Sequence, residues 1–354
     1  MKRLSAGFGI FLVILMVSLF HKDQKSTITS SVGKEKNTPS SIGMQQEMTT
    51  LFVPYWTMNG EAVPTNYNQV AYFGIAVNTN GIDTQEDGYK DLATFVASVH
   101  QNQRTLLTVR LLDQNVDEKI LHDSTFQQKI IQESANIAKE YKFDGIVLDL
   151  EYRALAFDEV VQGITSFSTD FAHTARNEHL AFYQALYGDT FYRLRPFDAG
   201  AIGKVADGIF VMAYDFHKAN GNPGPNFPLH QLPDEQYSFE QMVHDFTEKI
   251  PPDKLTIVFG LFGYDWTVDG NGQAIGEAES LTTTQMLQKF IAPCNFKNCM
   301  VSQNKAHETK ITYQDASAQN HIVWFEDLAS IDLKERLLTA EGVYSTAFWA
   351  YSYF

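Results

Sequence analysis

The chain has 354 residues, of which 44% are hydrophobic and 13% aromatic, so it can bury a substantial core and is not an intrinsically disordered protein. Forty-two acidic residues against 27 basic residues give a net charge of -15. This charge argues against a surface that neutralises phosphate backbones, and nucleic acid is therefore not an expected partner.

The N-terminal segment, residues 1–22, begins with Met-Lys-Arg and continues as the uncharged run LSAGFGIFLVILMVSLF. This pattern predicts a signal peptide or a membrane anchor, and the lack of a small-x-small pair before HKDQK favours the anchor. Residues 23–47 are polar and predict a flexible linker. Residues 48–354 would then form a monomeric domain that is extracellular or on the outer face of the cytoplasmic membrane, with the membrane contacted only through the N-terminal segment.

Short apolar runs alternate with helical patterns from residue 48 onward. The candidate strands are LFVPYW from 51, VAYFGIAV from 70, TLLTVRLL from 105, GIVLDLEY from 145, LAFYQAL from 180, GIFVMAYDF from 208, LTIVFGLFGY from 255 and YSTAFWAYS from 344. The helical patterns between them are YKDLATFVASVHQN, STFQQKIIQESANIAKEYK, DEVVQGITSFSTDFAHTARNE, SFEQMVHDFTEKI and DLASIDLKERLLTAEG. Repeated strand–helix units predict an α/β fold with a parallel sheet, and eight of them favour a closed (β/α)8 TIM barrel over an open doubly wound sheet.

Two segments depart from a regular barrel. Residues 265–323 are too many for a loop, and they predict a small inserted α+β subdomain between strands seven and eight. Cys294 and Cys299 lie in this segment, and an even cysteine count on an exported chain favours a local disulfide; a metal site would need further ligands at close spacing. The chain reaches Phe354 directly after strand eight, so the last outer helix of the barrel is expected to be missing.

Two acidic residues, Asp149 and Glu151, end the apolar run DGIVLDLEY of strand four. Side chains alternate along a strand, so both carboxylates share one face with Val147 and would point into the mouth of a barrel, where enzymes of this fold carry their chemistry. Two close carboxylates in a partly buried site do not both ionise readily, and one is expected to hold a proton near neutral pH. Acid-catalysed cleavage of a glycosidic bond needs such a group. From spacing alone, a pair of exposed carboxylates without a catalytic role is equally compatible.

Four motifs resemble glycoside hydrolase family 18, the chitinase-like barrels. FDGIVLDLE at 143 resembles the strand-four pattern Asp-Gly-x-Asp-x-Asp-x-Glu. VMAYDFH at 211, NPGPNFPL at 222 and VYSTAFWAYS at 343 resemble the strand-six motif, the loop after it and the strand-eight segment with its tryptophan. FGLFGYDW and HIVWFEDLASIDLKERL are similar to the branch that includes bacterial spore-cortex and cell-wall members. Together the motifs cover the chain from strand four to its last residue in the order of the family.

The resemblance implies a role for each matched residue. Glu151 would be the general acid, Asp149 would orient the N-acetyl group of the substrate, and the hydroxyl of Tyr214 would hydrogen-bond that group. The acetamido oxygen of the substrate would be the nucleophile, giving retention through an oxazolinium intermediate without a cofactor. The implied substrate-binding residues are Met212, Asp215, Trp349 and Asp144, although core packing also explains Met212 and an Asx turn also explains Asp144.

The sequence also departs from the family pattern. Val147 stands where many members have the middle aspartate, and loss of that like charge leads us to expect that Asp149 titrates more normally. Arg110 on strand three stands where a small residue would leave room for sugar.

Three functions are compatible with these residues. The first is a hydrolase that cleaves β-1,4 linkages at N-acetylglucosamine in a chitin-like or peptidoglycan-type glycan. The second is a non-catalytic carbohydrate-binding lectin of the same family. The third is an unrelated barrel hydrolase whose second acid lies on strand six or seven, where Asp215 and Asp265 are the candidates.

Overall fold

The computed structural model describes residues 48–233, 236–291, 294–303 and 305–354. The predicted signal peptide or anchor at 1–22 and the predicted linker at 23–47 lie outside these residues. In the described part of the chain, no helix is both long enough and apolar enough to cross a membrane.

The strands and helices alternate along most of the chain. The strands are β1 (Thr49–Pro54), β2 (Gln69–Asn78), β3 (Gly81–Ile82), β4 (Arg104–Leu111), β5 (Gly145–Leu150), β6 (Ala181–Tyr187), β7 (Gly208–Ala213), β8 (Leu255–Gly260), β9 (Phe262–Val268), β10 (Glu279–Thr282), β11 (Lys297–Gln303), β12 (Thr309–Gln314), β13 (Asn320–Phe325) and β14 (Ser345–Trp349). The helices are α1 (Asp87–Lys90), α2 (Leu92–Ser98), α3 (Gln114–His122), α4 (Ser124–Glu140), α5 (Asp158–Asn177), α6 (Ala199–Val205), α7 (Phe239–Thr247), α8 (Thr283–Met286) and α9 (Leu328–Ala340). Short 3-10 helices span Tyr55–Thr57 and Pro252–Lys254, and a π-helix spans Leu287–Ile291.

Eight parallel strands form a closed barrel in the order β1, β14, β8, β7, β6, β5, β4 and β2, and β1 pairs with β2 to close it. The closed (β/α)8 TIM barrel is thereby confirmed, and the open sheet is excluded. Each predicted strand is present, whereas α3 and α6 were not predicted from the sequence.

The helices cover the barrel through apolar stripes. In α5, Ile164, Phe167 and Phe171 recur at helical spacing and are buried. The helix α4 begins at an N-cap, Asp123, whose side chain accepts a hydrogen bond from the backbone N–H of Phe126 at 2.9 Å. The inward face of β5 carries Val147, which packs in the barrel interior with Phe52 and Phe210.

The inserted subdomain between the seventh and eighth barrel strands is confirmed. Strands β9 to β13 form an antiparallel sheet in the order β10, β9, β13, β12, β11, accompanied by α8 and the π-helix. Cys294 and Cys299 form the predicted disulfide, with their Cα atoms 6.4 Å apart.

The insertion begins earlier than predicted, at Phe262, because the run LTIVFGLFGY divides into two strands of different sheets. The first part, β8, stays in the barrel, and the second part, β9, pairs with β10 and β13. A side chain at Gly263 would place its Cβ 2.1 Å from the backbone oxygen of Trp324, so the close approach of β9 to β13 requires glycine.

After β14, the described residues contain no further helix. Residues 350–354 form a turn in which the Tyr351 N–H donates to the Phe52 oxygen at 2.9 Å. The Tyr353 oxygen accepts from the Thr284 N–H at 3.0 Å, and the ring of Phe354 lies 5.9 Å from that of Phe348. This turn connects the end of the barrel to the insertion.

A buried ion cluster joins α9 to the insertion. Lys334 Nζ lies 2.9 Å from Glu308 Oε1 and 2.6 Å from Glu326 Oε1, and all three side chains are fully buried. Burial raises the pKa of Glu326 to about 8, against the opposing effect of Lys334. Burial alone would lower the pKa of Lys334, but the two carboxylates raise it above its usual value. Glu308 also accepts from the backbone N–H groups of Asn226 at 2.6 Å and Phe227 at 2.8 Å, so the cluster fixes the loop after β7.

We predict that Lys334→Met destabilises the domain by about 3–5 kcal/mol, because it leaves two carboxyl groups buried without their cation. Denaturant unfolding at pH 7 measures this loss. The matched control is Arg336→Met on the same helix, whose ion pair with Asp332 is mostly exposed, and which should cost about 0.5 kcal/mol or less. Equal losses in the two variants would contradict a dominant role for the buried cluster.

Candidate active site

The two carboxyl groups of the strand-four motif lie at the carboxyl end of the barrel. Asp149 is the inward-facing residue before the end of β5, and Glu151 follows the last residue of that strand. The backbone N–H of Glu151 donates to the oxygen of Leu111 at 3.0 Å, which continues the pairing of β5 with β4. Asp149 is buried, whereas 26% of the Glu151 side chain is exposed, so only Glu151 is open to the cleft.

A cavity of about 310 Å³ opens above these residues. Its lining includes Glu151, Arg153, Tyr187, Asp189, Met212, Tyr214, Asp215 and Lys218. A second cavity, of about 20 Å³, shares Met212 and Tyr214 with the first and is also lined by Asp149 and Trp349. The structure therefore brings together all but one of the predicted catalytic and substrate-binding residues.

Asp144 is the residue that is not brought to the cleft. It precedes the first residue of β5, at the opposite end of the barrel from Glu151. Its Oδ2 accepts from the backbone N–H of Thr105 at 2.7 Å and from the Thr105 hydroxyl at 3.2 Å. These contacts connect the start of β5 to β4. Asp144 is therefore not included among the candidate substrate-binding residues of the cleft.

Asp149 holds its proton more strongly than an ordinary carboxyl group. Burial raises its pKa well above the usual value, the charge of Glu151 raises it further, and Arg110 opposes both effects. The expectation that Val147 lets Asp149 titrate more normally is therefore wrong. Loss of a like charge at position 147 is outweighed by the apolar barrel interior, in which Val147 itself is fully buried.

Glu151 has two partners that the sequence analysis missed. The hydroxyl of Tyr187 donates to Glu151 Oε2 at 3.0 Å, and the guanidinium of Arg153 lies 3.4 Å from the same oxygen. Tyr187 ends β6, one residue beyond the predicted strand, and alternation with Tyr183 would have placed it inward beside the carboxyl end of β5. These contacts fix the orientation of the Glu151 carboxyl group at the larger cavity.

Tyr214 lies between the two cavities and keeps its hydroxyl proton. Burial raises its pKa well above the usual value, and the neighbouring Asp149 and Glu151 add to the effect. Its hydroxyl is thus a hydrogen-bond donor throughout the ordinary pH range.

Asp215 is held in place by two hydrogen bonds. The hydroxyl of Tyr264, in the insertion, donates to Asp215 Oδ1 at 2.7 Å, and the backbone N–H of Asp215 donates to Asn226 Oδ1 at 2.8 Å. The backbone of Asp215 has a φ of 59°, in the left-handed region that aspartate adopts more readily than most residues. Burial raises the pKa of Asp215, although the Tyr264 hydrogen bond acts in the opposite direction. The backbone N–H of Asn226 donates to Glu308, so Asn226 connects the buried ion cluster to Asp215 at the wall of the cleft.

Arg110 lines neither of the two cavities. It forms an ion pair with Glu86, and its guanidinium lies 5.4 Å from the ring centre of Tyr55 and 5.5 Å from that of Phe73. Only 11% of its side chain is exposed. The register of β4 and β5 pairs Arg110 with Asp149, which explains its opposing effect on the pKa of that residue.

Trp349 forms an aromatic floor at the end of β14. Its ring centre lies 4.7 Å from Phe73, 5.9 Å from Phe52 and 6.3 Å from Trp56. Trp349 itself is half-buried, and Trp56 is half-exposed at the rim. Such a flat apolar face complements the C–H groups of a pyranose ring.

Asp265 lies in the insertion and lines neither of the two cavities. Its oxygens accept from Lys289 at 3.1 Å and from Tyr313 at 2.7 Å, and His321 Nδ1 lies 2.8 Å away. Asp265 thus holds the subdomain together and is no candidate for a second catalytic acid. Within the described residues, no group of three or more His, Cys, Asp or Glu side chains could hold a metal ion.

Comparison with known proteins identifies the family. The sequence profile described as "Glycosyl hydrolases family 18" matches residues 30–353. A cortical fragment-lytic enzyme of Bacillus subtilis is 24% identical over 273 residues, which are 72% of this chain and 59% of that protein. The crystal structure of the Bacillus cereus spore cortex-lytic enzyme SleL has a TM-score of 0.69 at 18% identity and covers 87% of this chain and 71% of its own. A family 18 chitinase from Cycas revoluta in complex with (GlcNAc)3 has a TM-score of 0.71 at 19% identity, covering 86% of this chain and 94% of its own.

The match spans a little over half the length of the Bacillus subtilis enzyme. At these identities, the solved structures establish the shared barrel fold.

We predict that Asp149→Asn changes how stability depends on pH. The folded state holds the Asp149 proton more tightly than the unfolded chain, whose aspartates titrate near ~3.9, so the parent loses stability as pH rises above that value. The asparagine variant lacks this loss, and its melting temperature relative to the parent should increase from pH 4 to pH 7 in scanning calorimetry.

The control for this prediction is Asp87→Asn, which changes a carboxylate that is 78% exposed. Its melting temperature should follow that of the parent across the same pH range. If the parent and Asp149→Asn curves also ran parallel, the raised pKa of Asp149 would be refuted.

Proposed function

The chain belongs to glycosyl hydrolases family 18, and from this we propose that it hydrolyses β-1,4 linkages at N-acetylglucosamine in a chitin-like or peptidoglycan-type glycan. The observation that carries the proposal is the position of Glu151, half-buried and open to the larger cavity, directly beside the buried Asp149. A carboxyl group in that position can protonate the leaving oxygen of a sugar bound over Trp349.

The reaction is substrate-assisted. Glu151 donates a proton to the glycosidic oxygen while the acetamido oxygen of the substrate attacks the anomeric carbon, and the bond to the leaving sugar breaks. The oxazolinium ion that forms is opened by water, whose proton returns to Glu151, so the anomeric configuration is retained.

Asp149 and Tyr214 orient the acetamido group in this scheme. A protonated Asp149 keeps a carbonyl oxygen that can accept from the acetamide N–H, and positive charge on the oxazolinium favours the ionised form of Asp149. The Tyr214 hydroxyl, which stays protonated, donates to the acetamido oxygen. Met212 and Asp215 line the same cavity and shape the space around that group.

The names of similar proteins support this class of substrate. The Bacillus subtilis relative is a cortical fragment-lytic enzyme, and the Cycas revoluta chitinase was solved with (GlcNAc)3. We further propose that residues 48–354 act outside the cytoplasmic membrane as a monomer, connected through the linker 23–47 to a signal peptide or anchor at 1–22.

We predict that Glu151→Gln lowers the hydrolysis rate by about 100-fold or more, because the amide cannot act as a general acid. Release of a fluorescent leaving group from a β-1,4 N-acetylglucosamine oligomer, followed from pH 4 to pH 8, measures the loss. The control is Glu248→Gln, an exposed carboxylate on the outer surface, which should retain the parent rate.

A carbohydrate-binding lectin is the second candidate. The observation that favours it is Val147, which places no polar atom where many family members have the middle aspartate. Calorimetric titration with the same oligomer separates the two functions: binding without cleavage by the parent indicates a lectin, and cleavage that survives Glu151→Gln would contradict the proposed role of Glu151.

A further inference from the structure

The smaller of the two cavities at the candidate site is lined by inward-facing residues of the barrel. Its volume is about 20 Å³, and Thr108, Val147 and Asp149 are among its lining residues. Asp149 Oδ1 and Thr108 Oγ1 are both buried and have no hydrogen-bond partner among the described protein atoms. Thr108 is fully buried and Asp149 is 4% exposed, so bulk solvent does not satisfy either atom.

The strand register places these two polar atoms within reach of one bridging molecule. The pairing of β4 with β5 sets Thr108 opposite Val147 and Arg110 opposite Asp149. Side chains two residues apart on a strand share a face, so Thr108 and Asp149 are diagonal neighbours inside the barrel. Val147 contributes only methyl groups between them.

We propose that this cavity binds one water molecule that bridges Asp149 Oδ1 and Thr108 Oγ1, and that Thr108 is through this water a positioning residue for Asp149. The volume fits a single water, which needs about 10–15 Å³ and at least two polar partners. Two hydrogen bonds of about 2.8 Å each allow one water molecule to connect oxygens up to about 5.6 Å apart. Both buried oxygens would then be satisfied.

The bridging water supplies a hydrogen-bond donor to Asp149, which the apolar side chain of Val147 cannot supply. The charged and titratable groups that face Asp149 are Glu151 on its own chain segment, Arg110 on β4 and Tyr214 after β7, with Tyr187 on β6 bonded to Glu151. Arg110 is already paired with Glu86. A water held by Thr108 adds a donor to Asp149 Oδ1 that stabilises the ionised carboxylate. The catalytic consequence rests on the proposed function, whereas the water site itself does not.

The first test is a high-resolution crystal structure of the protein. We expect an ordered water at about 2.6–3.2 Å from both Asp149 Oδ1 and Thr108 Oγ1. A direct hydrogen bond between Asp149 and Thr108, or the absence of ordered density in the cavity, would overturn the proposal.

The second test uses Thr108→Val, which keeps the shape and removes the hydroxyl, and Thr108→Ser, which restores it. Without the water-mediated donor, the pKa of Asp149 should rise further, and the serine variant should return it to the parent value. The readout is the melting temperature from pH 4 to pH 8, compared in each case with the same substitution in an Asp149→Asn background.

The double variant distinguishes a positioning role from a structural one. If Thr108 acts through Asp149, the pH-dependent effect of Thr108→Val disappears in the Asp149→Asn background. An equal effect in both backgrounds, or no effect of Thr108→Val on the pH dependence, would contradict the proposal. Neither test requires glycan hydrolysis, so failure of the Glu151 assay and failure of the water site are separate results.

Discussion

The geometry of the cleft depends on one buried carboxylate, that of Glu308. Its two oxygens bind consecutive backbone N–H groups, those of Asn226 and Phe227, and Lys334 compensates its charge from the outer helix α9. The side chain of Asn226 then holds Asp215 at the wall of the cleft. A loop that would otherwise be free to move after β7 is thus fixed by an ion cluster belonging to the insertion and to α9. The insertion therefore supports the barrel site although none of its described residues lines either of the two cavities.

The chemistry of the site depends on a difference in environment between two carboxyl groups that are two residues apart. Asp149 faces the largely apolar interior of the barrel, and burial raises the pKa of its carboxyl group, so it stays protonated to higher pH. Glu151 lies just beyond the end of the strand, at the edge of the larger cavity. There its carboxyl group contacts the polar side chains of Tyr187 and Arg153. One strand thus positions both carboxyl groups, and their different depths in the barrel give them different exposure to solvent and a different tendency to ionise.

The sequence predicted the parts of the fold and site that depend on local pattern. Strand periodicity and the strand-four motif identified the eight barrel strands and the inward direction of Asp149 and Glu151, because both follow from alternation along a single strand. Contacts between distant segments were not predictable in this way. Three such contacts join residues that are 24 or more positions apart: Glu308 with Lys334, Arg110 with Glu86, and Tyr187 with Glu151. No periodicity records which of many charged residues will meet.

The surroundings of individual residues were also not predicted correctly from the sequence. The absence of a middle aspartate was expected to relax the titration of Asp149, but the valine that replaces it makes the surroundings more apolar. Likewise, LTIVFGLFGY has the apolar character of one long strand, but its second half pairs with β10 and β13 in another sheet, where Gly263 permits the close approach to β13. Asp144 matched a motif position, yet the direction of the strand placed it at the other end of the barrel.

Closure of the barrel by β1 and β14 also bears on how the chain folds. Thr49 pairs with Thr346, so this contact joins segments almost three hundred positions apart. The strand β14 can pair with β8 only after the whole insertion between them has been synthesised. Contacts of such sequence separation form slowly, and until they form the edges of β1 and β8 expose unpaired backbone groups. During synthesis on the ribosome, the domain therefore passes through an open sheet that another chain could extend, and its last strand is what removes that risk.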